Sequence, residues 1–346
     1  MTEARKYLRD VRPVLVLLLF ACVAQPFVIA PVYAASCTCQ FTKEQRATAD
    51  KELWLNQKDK DLSLATHLPW GAPKSASKAS GEVILIQRDY VIGYDKDLLA
   101  PLWTGHRLTK ATLEAREKAK KKSGSADRKN CFRPDPRLKN EETAFCVNYD
   151  EPVYDQGHFV PDADMPHQPI ASLVNSYIYS NIAPQHCYFN RGIWLILEGL
   201  ARAWAKEKGE IYVLSGSVFD KDKDGKRDAD SDATRISKQN KFKRAVAIPT
   251  HFYKIFLHRT EGSNLEAIAV LIPHTDEKIT AKESKVRLEK HLTTVDAIEK
   301  LTGLDLPPNV SKAKSSPQEA VEKFLASALW DVEGKWPSTF DAACAK

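Results

Sequence analysis

Four polar residues in the middle of the chain have types and a spacing that suit hydrolysis of a phosphodiester. His158 follows a glycine at the edge of a loop, where a neutral imidazole can take a proton from water near pH 7. Asn190 begins a helical pattern, and its amide oxygen suits a hard cation such as Mg2+. Glu198, about two helical turns later, could hold a metal-bound water. Arg202 shares the helix face of Glu198 and could bind a phosphate, so the set combines a base, a cation site and a guanidinium.

Each of these residues also has a structural alternative. His158 could be only a turn residue, and Asn190 could be only the N-cap of a helix. Glu198 and Arg202, at positions i and i+4, could form a solvated pair worth roughly 0.3 kcal/mol. The spacing by itself is compatible with both interpretations.

The surrounding residues predict the elements that would position this set. Pro152–Tyr154 is an extended run, residues 161–168 form a polar loop, and Tyr177–Ile182 is rich in strand-favouring Tyr and Ile. From Asn190 onward, apolar residues recur at three- and four-residue steps, which predicts a helix. They are Ile193, Trp194, Leu197, Leu200, Ala201 and Trp204. The predicted order is therefore strand, loop, strand, helix.

Several short motifs follow one another in and after this stretch. The first are DQGH at 155–158, SNIAPQ at 180–185 and FNRGIWLILE at 189–198. IYVLSG at 211–216, AIPTHFYK at 247–254 and the segment Val295–Gly303 come after them. In this order they resemble the DNA/RNA non-specific endonucleases, which are ββα-metal (His-Me finger) nucleases. The resemblance extends over about residues 83–306, and the agreement of several motifs in order is more specific than any one of them.

The resemblance implies the catalytic and metal-binding roles. His158 would be the general base that activates water, and Asn190 would be the one direct protein ligand of Mg2+ (or Mn2+). Glu198 would contact the ion through water. The metal would bridge phosphate oxygens and stabilise charge on the leaving 3′ oxygen, so that the product carries a 5′-phosphate.

Further residues match the family pattern around these three. Arg202 would be a substrate-binding arginine, Asn181 would help to frame the site, and Asp155 would orient the loop that carries His158. Arg133 is a second candidate for one of the family's arginine positions.

One position departs from the family pattern. The arginine that follows the aspartate in the family's D-R-G-H motif is Gln156 in this chain. Glutamine can donate a hydrogen bond but carries no charge, so the phosphate loses a cation in the transition state. The loss of such a contact costs roughly 1.5–3 kcal/mol, or one to two decades in rate. We expect an active enzyme that this substitution slows.

Residues 1–34 have the pattern of an export signal. Four basic residues precede an apolar core at Val14–Val23, and Val32-Tyr33-Ala34 fits an A-x-A-like cleavage site. A membrane anchor is the alternative, but the apolar run of about ten residues is shorter than the roughly 20 that a spanning helix needs. We therefore expect a secreted or periplasmic protein with no stable membrane association after signal cleavage. The oligomeric state stays open, with a homodimer among the alternatives.

The cysteines predict disulfide bonds. Six remain after signal cleavage, and an even number in an exported chain favours pairing. Cys131 and Cys146 flank the segment before the active loop and are expected to pair. Cys37 or Cys39 is expected to bond to Cys344, which would join the termini. A zinc site is the alternative, but the Cys-Thr-Cys and His-Cys pairs lack the spacing usual for one.

We expect an α+β fold with a central antiparallel β-sheet flanked by helices and a ββα-metal motif at the active site. The predicted organisation is an N-terminal extension at 35–80, a nuclease domain at 81–310 and a C-terminal helical tail at 311–346, with an amphipathic helix at 320–329. The nuclease domain contains the ββα-metal core at 152–204 and an acidic insertion at 220–232. Without the signal, 47 basic and 43 acidic residues leave a net charge of +4, which allows a polyanionic substrate without requiring one.

The acidic insertion resembles a calcium-binding loop. Its pattern offers oxygen ligands at loop positions 1, 3, 5 and 9, and a glycine where the sharp turn falls. The acidic residues are Asp220, Asp222, Asp224 and Asp228. Position 12 is Ser231 rather than an acidic residue, so a solvated acidic insertion is the alternative. If Ca2+ binds, we expect it to be structural and separate from the catalytic metal.

A basic run at Arg107–Lys129 also has two interpretations. It could follow a nucleic-acid backbone with salt-sensitive, sequence-independent affinity. It could equally be a solvated helix end, because acidic residues dilute it.

Together these features predict an exported metal-dependent endonuclease that hydrolyses DNA and RNA with little sequence specificity. One alternative is a catalytically weakened nucleic-acid-binding protein. The other is a phosphodiesterase of the same fold that acts on another phosphodiester.

Overall fold

The fold is built around an antiparallel β-sheet. The computed structural model describes residues 38–75, 81–123, 131–261, 265–307, 321–340 and 344, which belong to one unit that spans Tyr33–Lys346. The strands in these residues are β1 (Lys74–Ser75), β2 (Glu82–Ile86), β3 (Val91–Asp95), β4 (Ala100–Thr109), β5 (Tyr154–His158), β6 (Ile182–His186), β7 (Glu210–Val218), β8 (His251–Arg259), β9 (Leu265–Pro273), β10 (Leu292–Thr293) and β11 (Leu304–Asp305). The helices are α1 (Lys43–Glu52), α2 (Gln57–His67), α3 (Lys110–Ser123), α4 (Ile170–Asn175), α5 (Cys187–Phe189), α6 (Leu195–Lys208), α7 (Ala281–Glu289) and α8 (Val295–Thr302).

The large sheet separates two apolar cores. Within the described residues its strands lie in the order β10-β9-β8-β7-β4-β3-β2, and all neighbours are antiparallel. Because successive side chains of a strand point to opposite faces, Phe252 and Phe256 of β8 pack with α6 on one face. Tyr253, Ile255 and Leu257 of the same strand pack with residues of α2 and α8 on the other face. The predicted α+β fold with a central antiparallel sheet between helices is confirmed.

A smaller unit of two strands and a helix carries the predicted site. β5 and β6 pair antiparallel, with His158 opposite Ile182. After β6 come α5, a wider helical turn at Asn190–Trp194, and α6. The predicted order of strand, loop, strand and helix is found, but the extended run predicted at Pro152–Tyr154 is wrong for residues 152–153, which form a turn, because β5 begins at Tyr154. The connection between the two strands also contains α4. The helical segment begins at Cys187 with His186 as its N-cap, so Asn190 lies inside the helical segment and is not its cap.

The strand predicted at Tyr177–Ile182 is wrong, because β6 begins only at Ile182. Residues Tyr179–Asn181 form a 3-10 turn instead. The side chain of Asn181 accepts the N–H of Val160 and donates to the carbonyls of Val160 and Ser176. These side-chain bonds stabilise a turn at a place where the local propensity favours a strand.

The predicted disulfide pairs are also wrong, although disulfides are present. Cys39 bonds to Cys131, and Cys187 bonds to Cys344. Cys146 is disulfide-bonded as well, to a residue outside the described ones. The packing of α1 against α4 brings Cys39 to Cys131, in a cluster that includes Phe41. The pairing therefore follows from tertiary packing and not from distance along the chain.

The amphipathic helix predicted at 320–329 is wrong for the described part of that range. Only residues 321–322 are helical there, and Phe324 and Leu325 are exposed whereas Val321 and Leu329 are buried. Residues 330–340, here called the C-terminal strap, follow without regular secondary structure.

Aromatic and proline contacts fix the C-terminal strap along α6. Trp330 packs edge-on against Trp204 with ring centres 5.2 Å apart, and its carbonyl accepts the indole N–H of Trp204. Pro337 lies so close to Gly199 that a Cβ on the glycine would come within 2.5 Å of it. These contacts with α6, rather than a helical repeat, decide the path of the strap.

Two predicted segments fall outside the described residues, namely the signal peptide at 1–34 and residues 311–320 of the tail. Among the helices that are described, none has the length and apolar character needed to cross a bilayer.

His67, the last residue of α2, links that helix to the sheet and is expected to make stability depend on pH. Its Nε2 lies 2.8 Å from the carbonyl of Arg88, and its Nδ1 accepts the N–H of Arg107 at 3.1 Å. The ring is therefore neutral, with the proton on Nε2. Burial is the main cause that lowers the pKa of His67 from 6.5 to about 4.

Between pH 6.5 and about pH 4, the imidazole of His67 is protonated in the unfolded chain and neutral in the folded protein. The free energy of unfolding should therefore fall as the pH drops from 6.5 to about 4, by up to about 3 kcal/mol from this residue. Urea titrations across this range would measure the fall, with His67→Gln as the comparison because an amide does not titrate. An equal fall in the variant and the parent protein would contradict the assignment.

Candidate active site

His158 is held at the end of β5 by aromatic packing and one backbone bond. Its ring packs edge-on against Tyr177 with ring centres 4.9 Å apart, and lies 5.4 Å from the ring of Phe132. Its carbonyl accepts the indole N–H of Trp194 at 2.8 Å. Because Trp194 belongs to the helical turn after β6, this bond fixes the end of the strand against the helix. Only 4% of His158 is exposed, so its imidazole is almost completely buried and has a defined position.

Asp155, at the other end of β5, bonds to the turn that carries Asn190. Its Oδ2 accepts Nδ2 of Asn190 at 2.9 Å and Nε of Arg191 at 2.8 Å, and its Oδ1 accepts Nη2 of Arg191 at 2.7 Å. An ionised carboxylate only accepts hydrogen bonds, so the Asn190 amide must present its nitrogen to Asp155. The amide oxygen is then the atom that can bind a cation. The donor set of Asn190 therefore fits a hard metal ion.

Glu198 and Arg202 lie one turn apart on α6, as their spacing predicts. Glu198 is only 8% exposed, and its charge acts on Arg202 and on Lys254. Nη1 of Arg202 donates to Oδ1 of Asp164 at 2.9 Å. Burial disfavours the charge of Arg202, but Asp164 and Glu198 outweigh burial and raise the pKa of Arg202 above its ordinary value. The guanidinium is charged and held in place.

Asp164 is a site residue that the sequence pattern does not identify. It lies in the loop after β5, and its Oδ2 is 3.1 Å from Nε2 of His106. Burial would raise the pKa of Asp164, but the hydrogen bond from His106 and the charge of Arg202 lower it below the ordinary value. Asp164 is therefore an ionised residue that orients Arg202. In the sequence, Asp164 is distinguished only by being an acidic residue in the predicted polar loop.

Lys254 is a second residue that sequence reasoning misses. It is 1% exposed, and its amine donates to Oγ of Ser215 at 2.9 Å and lies 4.1 Å above the ring of Trp194. Burial lowers the pKa of Lys254 to about 8, against the opposing effect of the charges on Glu198 and Asp164. In the sequence, Lys254 is distinguished only by being a charged residue in the middle of the mostly apolar strand β8. The amine places positive charge beneath the helix that carries Glu198.

Asn181 and Gln156 flank His158 from two sides. Asn181 is fully buried and binds both backbone groups of Val160, two residues beyond His158. Gln156 has the same strand face as His158, because residues two apart in a strand point to the same side. Nε2 of Gln156 is buried and has no hydrogen-bond partner among the described residues. Asn181 thus supports the loop behind the histidine, and Gln156 offers a donor beside it.

The two basic features of the sequence lie around this site. Arg133 donates to Asp50 at 2.9 Å and to the side chain of Asn175 at 2.6 Å, so the structure places it in a link between α1 and α4. Residues 110–123 of the basic run form α3, and residues 124–129 of it lie outside the described ones. A groove of about 880 Å3 lies between α3, α6 and the C-terminal strap and is lined by residues of both charges, including Arg202. Backbone tracking by α3 stays a prediction.

Three of the four aspartates of the acidic insertion converge. Carboxylate oxygens of Asp220, Asp222 and Asp228 lie within 4.8 Å of one another. Asp224 is outside this group, and its Oδ1 accepts the N–H of Lys226 at 2.9 Å. Asp220 is 5% exposed, and its Oδ1 has no hydrogen-bond partner among the described residues. Gly225 has φ +81°, a left-handed conformation that glycine adopts without strain.

Comparison with known proteins gives the family. The model of the DNA/RNA non-specific endonuclease family matches residues 72–313. Mitochondrial endonuclease G of Homo sapiens is 27% identical over 245 residues, which are 70% of this chain and 73% of that protein. Nuclease C1 of Cunninghamella echinulata var. echinulata is 30% identical over 225 residues, which are 64% of this chain and 82% of that protein.

A match over more residues is to a protein with a different name. Ectonucleotide pyrophosphatase/phosphodiesterase family member 1 of Mus musculus is 29% identical over 294 residues, or 78% of this chain. That match is only 30% of the mouse protein, so this chain spans less than a third of it. Because the family model matches more than half of the chain, the chain belongs to the DNA/RNA non-specific endonuclease family.

Proposed function

We propose that this protein is an exported, metal-dependent endonuclease that hydrolyses phosphodiester bonds of DNA and RNA with little sequence specificity. The observation that carries the proposal is the bond from Asn190 to Asp155. Because this bond uses the amide nitrogen, the amide oxygen of Asn190 is the atom that can bind a metal, on the helical turn that follows β6, the partner of the strand that ends at His158.

His158 acts as the general base in this proposal. Its imidazole takes a proton from a water molecule, whose oxygen attacks phosphorus while the bond to the 3′ oxygen breaks. The 3′ oxygen leaves with a proton from solvent, so the products are a 3′-hydroxyl and a 5′-phosphate. The packing of Tyr177 and the bond from Trp194 hold the imidazole in one orientation for this transfer.

Asn190 would hold Mg2+ or Mn2+ directly through its amide oxygen, and Glu198 would hold it through a water molecule. Both ligands are oxygen atoms, and Mg2+ keeps several of its waters, so the two residues suit such an ion. When bound, the ion would stabilise negative charge on the phosphate oxygens and on the leaving oxygen. Arg202 would bind a phosphate of the substrate, and Asp164 orients its guanidinium for this.

Export is supported by the disulfides. Cys39, Cys131, Cys146, Cys187 and Cys344 are all bonded, and such bonds persist mainly in oxidising compartments. With the signal pattern at residues 1–34, this favours a secreted or periplasmic enzyme.

The first test is cleavage of plasmid DNA by the oxidised protein with Mg2+ and with EDTA. Cleavage should need the metal, and His158→Ala should lose about 100-fold or more of the rate because the general base is removed. His258→Ala is the matched control. Nδ1 of His258 lies 3.0 Å from the carbonyl of Glu210 on β7, far along the large sheet, so this variant should keep the parent rate.

Two other results would favour the alternatives. A protein that stays inactive with Mg2+, Mn2+ and Ca2+ but still retards DNA would be a nucleic-acid-binding protein. A protein that spares plasmid and RNA but cleaves bis-nitrophenyl phosphate would be a phosphodiesterase of another specificity, which the match to the mouse pyrophosphatase/phosphodiesterase makes a defined alternative.

We also propose that the acidic insertion binds a structural Ca2+. The support is the convergence of Asp220, Asp222 and Asp228 together with the buried, unbonded Oδ1 of Asp220. An unpaired buried carboxylate oxygen is costly, and a cation would satisfy it. In this proposal Ca2+ is separate from the metal held by Asn190.

Calcium should then raise the melting temperature of metal-free protein. Binding adds about 2.7 kcal/mol to the free energy of unfolding at 100 times the dissociation constant. Thermal melts with and without Ca2+ would measure the rise, which Asp220→Asn should abolish. Asp232→Asn is the matched control, because this aspartate belongs to the same loop but not to the converging group. An equal rise in the Asp220 variant would refute the site.

A further inference from the structure

Arg191 directly follows Asn190, the proposed metal ligand, and forms an ion pair with Asp155. Its guanidinium binds both oxygens of Asp155, through Nε at 2.8 Å and Nη2 at 2.7 Å. The same carboxylate oxygen that accepts Nε also accepts the amide of Asn190. The guanidinium and the amide therefore lie within a few ångströms of each other, on the same side of Asp155.

Position 156, two residues before His158 on β5, has an uncharged side chain. Gln156 shares the strand face of His158, and its amide nitrogen is buried without a hydrogen-bond partner among the described residues. A neutral amide can donate to a phosphate oxygen but cannot neutralise it. A phosphate beside His158 and Asn190 thus meets a neutral donor from β5.

We propose that Arg191 is a phosphate-binding residue that supplies the positive charge absent at position 156. The proposal rests on the proposed function and deepens it, since it assigns the group that would bind the scissile phosphate next to the metal. Gln156 then contributes a neutral hydrogen bond, and Arg191 contributes the charge.

The contact with Asp155 prepares Arg191 for this role. A guanidinium has five N–H donors in a rigid plane, and the two bonds to Asp155 engage one edge of it. The side chain is 26% exposed, so the ion pair is at the surface of the site and within reach of a polymer. Because Asp155 fixes the plane, little rotational freedom is lost when a phosphate binds.

The backbone of Arg191 is fixed as well. Its carbonyl accepts the N–H of Phe340 in the C-terminal strap at 2.8 Å. Cys187, three residues before Asn190, is bonded to Cys344 beyond the strap. The strap and the disulfide thus hold the turn that carries both Asn190 and Arg191.

The other cations near the site have different positions. Arg202 donates to the buried Asp164, and Lys254 is 1% exposed beneath Trp194. Arg191 is next to the metal ligand in sequence and shares its hydrogen-bond acceptor, which neither of the others does. The charge of Arg191 is therefore tied to the same carboxylate as the proposed metal ligand.

The test compares Arg191→Gln with the charge swap Arg191→Gln/Gln156→Arg. Cleavage of plasmid is measured at limiting and at saturating Mg2+, and affinity for a short DNA duplex is measured against salt concentration without a cleaving metal. Arg191→Gln should lower kcat/KM by about 10- to 100-fold, the loss expected for one charged hydrogen bond. It should also reduce the slope of log affinity against log salt by about one, the effect of one phosphate contact. The swap should regain at least about tenfold in kcat/KM.

Arg88→Gln is the matched control. Arg88 also forms an ion pair, from Nη1 to Oε2 of Glu52 at 3.0 Å, but it joins the turn between β2 and β3 to α1 and not the strands of the site. This variant should keep the parent kcat/KM. Arg191→Lys keeps the charge and should keep the salt slope, which provides a second variant if Arg191→Gln does not fold.

Three results would overturn the proposal. The first is a salt slope of Arg191→Gln equal to that of the parent. The second is a loss of cleavage that disappears at saturating Mg2+, since Arg191 would then only orient Asn190 through Asp155. The third is a swap variant no more active than Arg191→Gln. If the parent protein cleaves nothing, the proposed function fails, whereas the salt slopes still decide whether Arg191 contacts phosphate.

Discussion

The carboxylate of Asp155 joins the strand that ends at His158 to the helical turn that begins at Asn190. It accepts three hydrogen bonds from two adjacent residues, and two of them come from a charged group. Charge-assisted bonds of this kind are stronger and shorter than neutral ones. Together with the bond from Trp194 to the carbonyl of His158, they set the separation between His158, the proposed base, and Asn190, the proposed metal ligand, which belong to different elements. The arrangement of the whole site depends on this connection.

Behind the site, the buried charged residues Asp164 and Lys254 have polar or aromatic partners. Asp164 lies between His106 and Arg202, and Lys254 lies beneath the Trp194 ring. Burying an ion is costly unless hydrogen bonds and an opposite charge compensate for it, and an apolar core would be at least as stable. The proposed site has to hold a phosphate and a cation in fixed positions. This requirement gives a physical reason for keeping these buried charges. The lowered pKa of Asp164 and the raised pKa of Arg202 show that each keeps its charge in the fold.

Both described disulfides end beside the site. Cys131 precedes Phe132, whose ring packs against His158, and Cys187 precedes the turn of Asn190. Their partners come from the two ends of the described chain, Cys39 and Cys344. These two ends of the described chain therefore stabilise the elements around His158 and Asn190. This explains how a part of the molecule remote in sequence contributes to the geometry of the centre.

The sequence alone was sufficient to predict the elements in which apolar residues recur at regular intervals, and to identify the residues that belong to a motif. The strand–loop–strand–helix order, the antiparallel α+β fold and the family follow from apolar periodicity and from motifs in fixed order, because these are local properties of the chain. Where local propensity competes with tertiary contacts, the secondary structure predicted from the sequence is wrong. The turn at Tyr179–Asn181 replaces a strand because Asn181 bonds to Val160, and the C-terminal strap replaces a helix because Trp330 packs on α6.

Only the tertiary structure decided which residues meet. Asp164, Lys254 and Arg191 have no pattern that distinguishes them from other charged residues, and their contacts join segments far apart in the chain. The disulfide pairs are of the same kind, since six cysteines allow 15 connectivities and only packing selects among them. Residue types and spacing fix what a site can do chemically. The three-dimensional packing fixes which charges face one another, because that depends on distances that the sequence does not contain.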